Sequence, residues 1–294
     1  LTCKNYYIYN DSISMDLDQL IKKYTDENSK FITIDGLNVH YKDEGDGEVL
    51  LLLHGTFSSL HTFDDWANLL KHNFRVIRLD LPGFGITGPS TDNQYSIPIF
   101  VDFIYKFLDL INVNTFYLAG NSLGGWLAWE LALKAENRIK KLVLLNSAGY
   151  INDRNYPLPF VVAQTPVLRN VFNYIPKAVV RRFIRQVFNN QKVVTDQLVD
   201  RYFSLIHREG NLDAFVRIAN SKLIQNTHSL IKLKIPVLIV WGNKDRWLSP
   251  KHAEYFNKDI PNSRVLMYDN VGHIPMEEIP EKSALDVSKF LVEN

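Results

Sequence analysis

The residues with the clearest chemical meaning are Gly120-Asn121-Ser122-Leu123-Gly124. They follow an apolar run at 116–119 and precede a stretch patterned as a helix. A G-x-S-x-G at a strand-to-helix junction holds its serine in a tight, strained turn, and the glycines let strand and helix approach without side-chain clash. The helix amino terminus also aims unpaired N–H groups at that spot, which favours negative charge there. Ser122 is therefore read as a nucleophile. His54-Gly55-Thr56-Phe57 follows a second apolar run, ending at Leu53. A backbone N–H there can be the second donor of an oxyanion hole, the first being that of Leu123. Thr56 is the residue expected to supply it, with Phe57 as the alternative.

A serine hydroxyl needs a base, and a neutral imidazole suits pH 7. Of eight histidines, His273 stands apart, in the loop Asn270-Val271-Gly272-His273-Ile274-Pro275 between the last strand pattern and the last helix pattern. His40, His61, His72, His207, His228 and His252 have no such turn around them and read as surface or packing residues, while His54 reads as a fixture of its own loop. The third member should fall between serine and histidine after another strand. Asp245, in Gly242-Asn243-Lys244-Asp245, fills that place and would orient the imidazole. Asp80, in Asp80-Leu81-Pro82-Gly83-Phe84-Gly85, has no visible proton partner and is assigned to loop architecture. Glu277 and Glu278 read as solvated or salt-bridged.

These residues must be carried by elements at their flanks. Apolar runs of strand length recur at 49–53, 75–79, 115–119, 141–145 and 237–241, with a weaker one at 265–268. Continuous runs of this kind fit strands covered on both faces. Residues 31–34 and 37–41 alternate about Asp35-Gly36 as an antiparallel hairpin. Helical patterns at 15–28, 97–111, 122–135 and 281–292 alternate with the strands, which argues a mostly parallel α/β sheet with helices on both faces and a mixed edge. From 150 to 231 the rhythm stops. Helix-like segments at 177–188, 196–207 and 212–221 read as an insertion over one end of the sheet, so the expected division is an extension at 1–30, a core at 31–149 and 232–294, and a helical cap at 150–231.

Taken together, H-G-T-F, D-L-P-G-F-G, G-N-S-L-G-G, G-N-K-D and V-G-H, in that order, make residues 31 to the end resemble the α/β-hydrolase family, in its single-cap esterase and monoacylglycerol-lipase-like branch. The resemblance implies an eight-stranded, mostly parallel sheet with a cap. Some relatives draw the acid from the strand before the cap, where this chain has Asn146. The serine sets the chain apart from relatives that attack epoxides or haloalkanes with aspartate. Ser58 and Ile274 depart from the ring-cleavage carbon–carbon hydrolases, and His54-Gly55-Thr56-Phe57 departs from the proline iminopeptidases. The expected reaction is hydrolysis of a small-molecule carboxylic ester with a medium-chain or monoacyl apolar acid, through an acyl-serine. The alternatives are a carbon–carbon bond hydrolase, an acyltransferase, and a hydrolase-fold ligand receptor with slow turnover.

An apolar acyl pocket is expected under the cap, whose apolar residues include Phe160, Val161, Val162, Phe172, Tyr174, Ile175, Phe183 and Phe188. Phe57, Phe183 and Phe188 are the candidate lining residues. Arg181-Arg182-Phe183-Ile184-Arg185 reads first as a solvated face and second as a contact for an anionic membrane surface. The composition, 46% hydrophobic and 22% charged over 294 residues, is that of a globular chain, and the net charge of +1 gives no electrostatic footprint for nucleic acid. One cysteine, Cys3, leaves no internal disulfide or cysteine zinc site, and no histidine–carboxylate cluster has metal-ligand spacing, so neither metal nor cofactor is expected. Leu1-Thr2-Cys3 reads as a cloning boundary or truncated anchor rather than a lipoprotein remnant, since threonine before the cysteine fits poorly. Cytoplasmic and membrane-anchored locations both stay open, as does the oligomeric state.

Overall fold

The computed structural model describes residues 16–150, 157–167, 175–222 and 224–293. Cys3, Met15, Phe172 and Tyr174 lie outside the described residues. In chain order the strands are β1 (Ser29–Ile34), β2 (Leu37–Glu44), β3 (Glu48–Leu53), β4 (Phe74–Leu79), β5 (Phe116–Asn121), β6 (Ile139–Leu145), β7 (Val237–Gly242) and β8 (Ser263–Tyr268). They form one sheet in the order β1-β2-β4-β3-β5-β6-β7-β8. β1, β2 and β4 pair antiparallel, and every pairing from β4 through β8 is parallel. The hairpin read around Asp35-Gly36 is thus the mixed edge.

Burial explains the apolar runs. Leu50, Leu51, Leu52 and Leu53 of β3 are all fully buried. Because strand side chains alternate, Leu51 and Leu53 enter one cluster and Leu50 and Leu52 another. Each such leucine contributes roughly 1.5–3 kcal/mol of burial. On one face lie α3 (Ile97–Leu110) and α4 (Leu123–Lys134), through residues such as Phe107 and Leu127. Opposite lie α2 (Asp64–Leu70) and α11 (Pro280–Val292), through Trp66 and Val287. β8 was the weakest pattern because it is an edge strand: Val265 and Met267 are exposed and only Tyr268 is buried.

The remaining helices are α1 (Leu17–Tyr24), α5 (Leu158–Gln164), α6 (Lys177–Val187), α7 (Asp196–Ile206), α8 (Asn211–Ala219), α9 (Lys251–Asp259) and α10 (Pro275–Glu278). Helix α1 is shorter than the 15–28 pattern. Thr25 is extended, and its N–H and Oγ1 both donate to the Ile21 carbonyl, which closes the last turn. Helices α5 to α8 fall between β6 and β7, where the insertion was expected. Helix α6 turns Val180, Ile184 and Val187 inward and leaves Arg182 and Arg185 exposed, while Arg181 pairs with Asp196 at 2.7 Å. Among the described residues no helix is long and apolar enough to cross a membrane.

The chain leaves β3 for β4 on one side and returns to β5 on the other, so strand order reverses beside β3. A crevice opens beyond the strand ends at such a reversal, and ligands of open α/β sheets bind there. The loops in that position are the ones carrying Thr56 and Ser122.

Candidate active site

Ser122 sits between β5 and α4 with φ 54° and ψ −117°. For a residue with a Cβ this conformation costs on the order of 1–3 kcal/mol, and its neighbours hold it. Its N–H donates to the Leu145 carbonyl, and its own carbonyl accepts from Trp126 and Ala148. Side chains are excluded around the turn. A Cβ on Gly120 would lie 2.2 Å from the Gly124 carbonyl oxygen, and one on Gly124 would lie 2.2 Å from that of Leu53. Leu123 opens α4, so its N–H is among the helix donors without an intrahelical acceptor.

His273 is fixed from four sides. Its Nδ1 lies 2.7 Å from Asp245 Oδ2, its N–H donates to the Val187 carbonyl, and its carbonyl accepts from Asn121 Nδ2 at 3.0 Å. Its ring also lies 5.8 Å from that of Trp247. A carboxylate only accepts, so Nδ1 carries the proton and the neutral ring keeps its lone pair on Nε2. Asp245 has both oxygens engaged. Oδ2 also accepts from Asn146 Nδ2 at 2.8 Å, while Oδ1 accepts from the N–H groups of Trp247 and Leu248. Asn146 therefore stands beside Asp245 and donates to it.

Gly55, Thr56, Phe57, Ser122, Phe183 and His273 line one narrow cavity of about 50 Å³. Ile175, Val180, Ile184, Val187 and Ile206 give it an apolar wall, and Ser58, Asn121, Tyr202, Trp247 and Ile274 also face it. No lysine or arginine is among these described lining residues. Phe57 adopts φ 62° and sets its ring centroid 4.0 Å from that of Phe215 on α8, the two planes tilted by 41°.

Phe188 corrects the expectation. Val180, Phe183, Ile184 and Val187 share one face of α6, but the helix stops at Val187 and Phe188 is extended. Its ring is buried in the core and borders a different groove, with Lys23 and Arg201.

One premise about Asp80 changes. Asp80 does have a proton partner: His40 Nδ1 donates to its Oδ2 at 2.9 Å, and the N–H groups of Leu60 and Ile86 donate as well. Burial pushes this carboxyl up, but the His40 hydrogen bond and the imidazoles of His40, His54 and His61 outweigh it and hold it at about 2. Its architectural role stands. His54 bonds its own loop, with Nδ1 on the Gly55 carbonyl and Nε2 accepting from Leu81 N–H, and burial pushes its pKa down. Among the other histidines, His40, His61, His207 and His252 are buried.

Glu277 is salt-bridged to Arg201, one of the two environments expected of it, whereas Glu278 is neither solvated nor ion-paired among the described residues. Glu278 is buried and accepts from the N–H groups of Gly272, Asn189 and Asn190, which ties the His273 loop to the end of α6. Glu277 accepts from Thr62, Tyr202 and Arg201. Ser58, Tyr202 and Trp247 escaped sequence reading as cavity residues. Only the Val199, Tyr202, Ile206 spacing on α7 hinted at an inward face.

A family model described as the alpha/beta hydrolase fold matches residues 48–280. The chain belongs to the alpha/beta hydrolases. This hydrolase is 27% identical over 273 residues to Lipase 3 of Moraxella sp. (strain TA144), covering 84% of this chain and 78% of that one. It is also 27% identical over 292 residues to the 2-hydroxy-6-oxononadienedioate/2-hydroxy-6-oxononatrienedioate hydrolase of Burkholderia vietnamiensis (strain G4 / LMG 22486), covering 90% and 95%. Among solved structures, a membrane phospholipase A described as a bacterial virulence factor superposes on the hydrolase with a TM-score of 0.79 at 25% identity, covering 93% of this chain and 90% of that one.

Proposed function

We propose that this hydrolase cleaves carboxylic esters of apolar acids through an acyl-Ser122 intermediate. One observation carries the reading: Ser122 and His273 share a cavity whose described lining forms an apolar wall without lysine or arginine. His273 Nε2 takes the Ser122 proton as Oγ attacks the ester carbonyl, and then passes it to the departing alcohol oxygen. A water, deprotonated by the same nitrogen, splits the acyl-serine and releases the acid. Asp245 keeps the imidazole in the required tautomer and offsets its charge when protonated. The N–H groups of Leu123 and Thr56 stabilise the oxyanion at each tetrahedral stage.

The second reading, carbon–carbon hydrolysis, draws on the Burkholderia relative, whose named substrates are dicarboxylates. Among its described lining residues the cavity offers a buried carboxylate no lysine or arginine, and an unpaired charge there is costly. That difference favours neutral esters. Fluorophosphonate labelling, with the modified peptide read by mass spectrometry, tests the chemistry directly. Label should appear on Ser122 and vanish in Ser122→Ala, together with hydrolysis of 4-nitrophenyl butyrate. Label at a different serine, or ester turnover surviving in the variant, would overturn the reading.

A further inference from the structure

We infer that Phe215, on cap helix α8, is a positioning residue for the oxyanion hole: it holds Phe57 in a strained turn whose backbone lies against Ser122. The role rests on the acyl-serine reading and says what the cap contributes to it.

Strain is visible in the turn itself. Ser58 N–H donates to the Gly55 carbonyl at 3.3 Å, which closes residues 55–58 into a four-residue turn. φ is positive, 62°, at the third residue, Phe57, and not at the second, Thr56. That is the pattern of a type II turn, whose third position normally takes glycine or asparagine. Phenylalanine has a Cβ that crowds the backbone there, so the conformation persists only where the surroundings impose it. The turn also touches the nucleophile. A Cβ on Gly55 would lie 3.0 Å from Ser122 Cβ and 3.1 Å from Asn121 Oδ1. The N–H groups of Thr56 and Phe57, either of which can join that of Leu123 in the oxyanion hole, belong to this turn, so its shape decides where they point.

The cap supplies what holds the turn. Phe215 is buried, and its ring centroid lies 4.0 Å from that of Phe57. Phe160 of α5 meets Phe215 edge-on, centroid to centroid 5.2 Å. A row of three rings therefore runs from the turn through α8 to α5. Phe57 lines the catalytic cavity, whereas Phe215 is not among its described lining residues, so Phe215 acts on the reaction through Phe57. Without the Phe215 ring, that of Phe57 loses the wall it rests on. The backbone is then free to leave the left-handed region, and the N–H groups move with it.

Two comparisons test this, each read as kcat on 4-nitrophenyl butyrate and as the rate at which a fluorophosphonate labels Ser122. The first isolates the conformation and needs no change at Phe215. Phe57→Gly and Phe57→Ala both remove the ring and enlarge the cavity almost equally, but only glycine adopts positive φ without penalty. Phe57→Ala should be about tenfold slower than Phe57→Gly, or ~1.4 kcal/mol, the size of a left-handed penalty. The second isolates Phe215. Phe215→Leu should lower kcat about tenfold with KM changed less than about twofold, because the hole acts on the transition state. Where Phe57 is already glycine, the same substitution should lower kcat by less than about twofold, since the coupling partner is gone. Melting curves establish that each variant is folded, and Phe215→Met, nearer the ring in volume, replaces Phe215→Leu if that one is not. Equal rates for the glycine and alanine variants, an equal loss from Phe215→Leu in both backgrounds, or no loss in either, overturns the role while the ester reading stands. If no ester is hydrolysed but labelling follows both patterns, the ester reading fails and the role of Phe215 survives.

Discussion

Asp245 accepts four hydrogen bonds, from His273, Asn146, Trp247 and Leu248. Asp245→Asn keeps the shape but can place an amide N–H against Nδ1, favouring the imidazole tautomer whose proton sits on the wrong nitrogen. A loss of roughly 10³–10⁴ in kcat, with KM little changed, is the expected outcome in steady-state kinetics. Loss under about tenfold would remove Asp245 from the role, since it amounts to less than ~1.4 kcal/mol. Asp80 belongs to stability instead. Its folded pKa of about 2 lies below the ordinary 3.8, so its contribution is whole above pH 4 and disappears as pH falls from there through 2. His54 acts earlier on the same limb: its value is held below the ordinary 6.5, so the unfolded chain binds the proton first and stability declines below pH 6.5. Urea midpoints measured from pH 7 to pH 2 should show both, and Asp80→Asn should flatten the lower part while costing ~2 kcal/mol at neutral pH. A parallel acid limb in the variant would show that Asp80 is not the titrating group. Ser122, His273 and Asp245 were legible because turn chemistry leaves a local signature. The His40–Asp80 pair was not, because it joins residues 40 positions apart across a strand pairing.

At the scale of elements, the sequence reading succeeded wherever a strand is covered on both faces and failed for short helices. Helix α2 has seven residues and no side-chain cap at Phe63, while two of the three buried residues on α9 are His252 and Ala253, so neither writes a periodic apolar stripe. The Glu278 clamp was equally hidden, since a glutamate on a four-residue helix looks like any surface charge. It nonetheless joins the His273 loop to the residues just after α6, beside the direct bond from His273 N–H to the Val187 carbonyl. Glu278→Ala strands three N–H donors, each costing ~1–3 kcal/mol where water cannot reach. We expect a stability loss of at least ~2 kcal/mol by urea titration, together with a lower kcat/KM on 4-nitrophenyl butyrate. A variant as stable as wild type would mean that water or neighbouring groups satisfy those donors, and that Asn121, Asp245 and the Val187 carbonyl suffice to hold the loop.

For the molecule as a whole, the size of the cavity bounds the acid that fits. A water needs roughly 10–15 Å³ of such space, so about 50 Å³ holds around four waters, or an acyl chain of about that many heavy atoms. The series of 4-nitrophenyl esters should rise from acetyl, each buried methylene adding up to ~0.8 kcal/mol to transition-state binding. It should turn over between butyryl and hexanoyl. A kcat/KM still climbing at dodecanoyl would show that α6 and α7 part to admit longer chains. A best value for acetyl would show the cavity closed to chains altogether.

The order of strands also sets a timetable. Ser122 ends a strand near the middle of the sheet, whereas His273, whose carbonyl accepts from Asn121 beside it, arrives from a loop after the last strand. About 150 residues separate them, which a ribosome adding 5–20 residues per second takes ~8–30 s to make. Throughout that interval the growing polypeptide carries a serine with no imidazole to deprotonate it. A chain assembled this way has no His273 to set beside Ser122 until the loop after β8 has been made and has left the ribosome, so an unfinished copy lacks the proposed serine–imidazole pair.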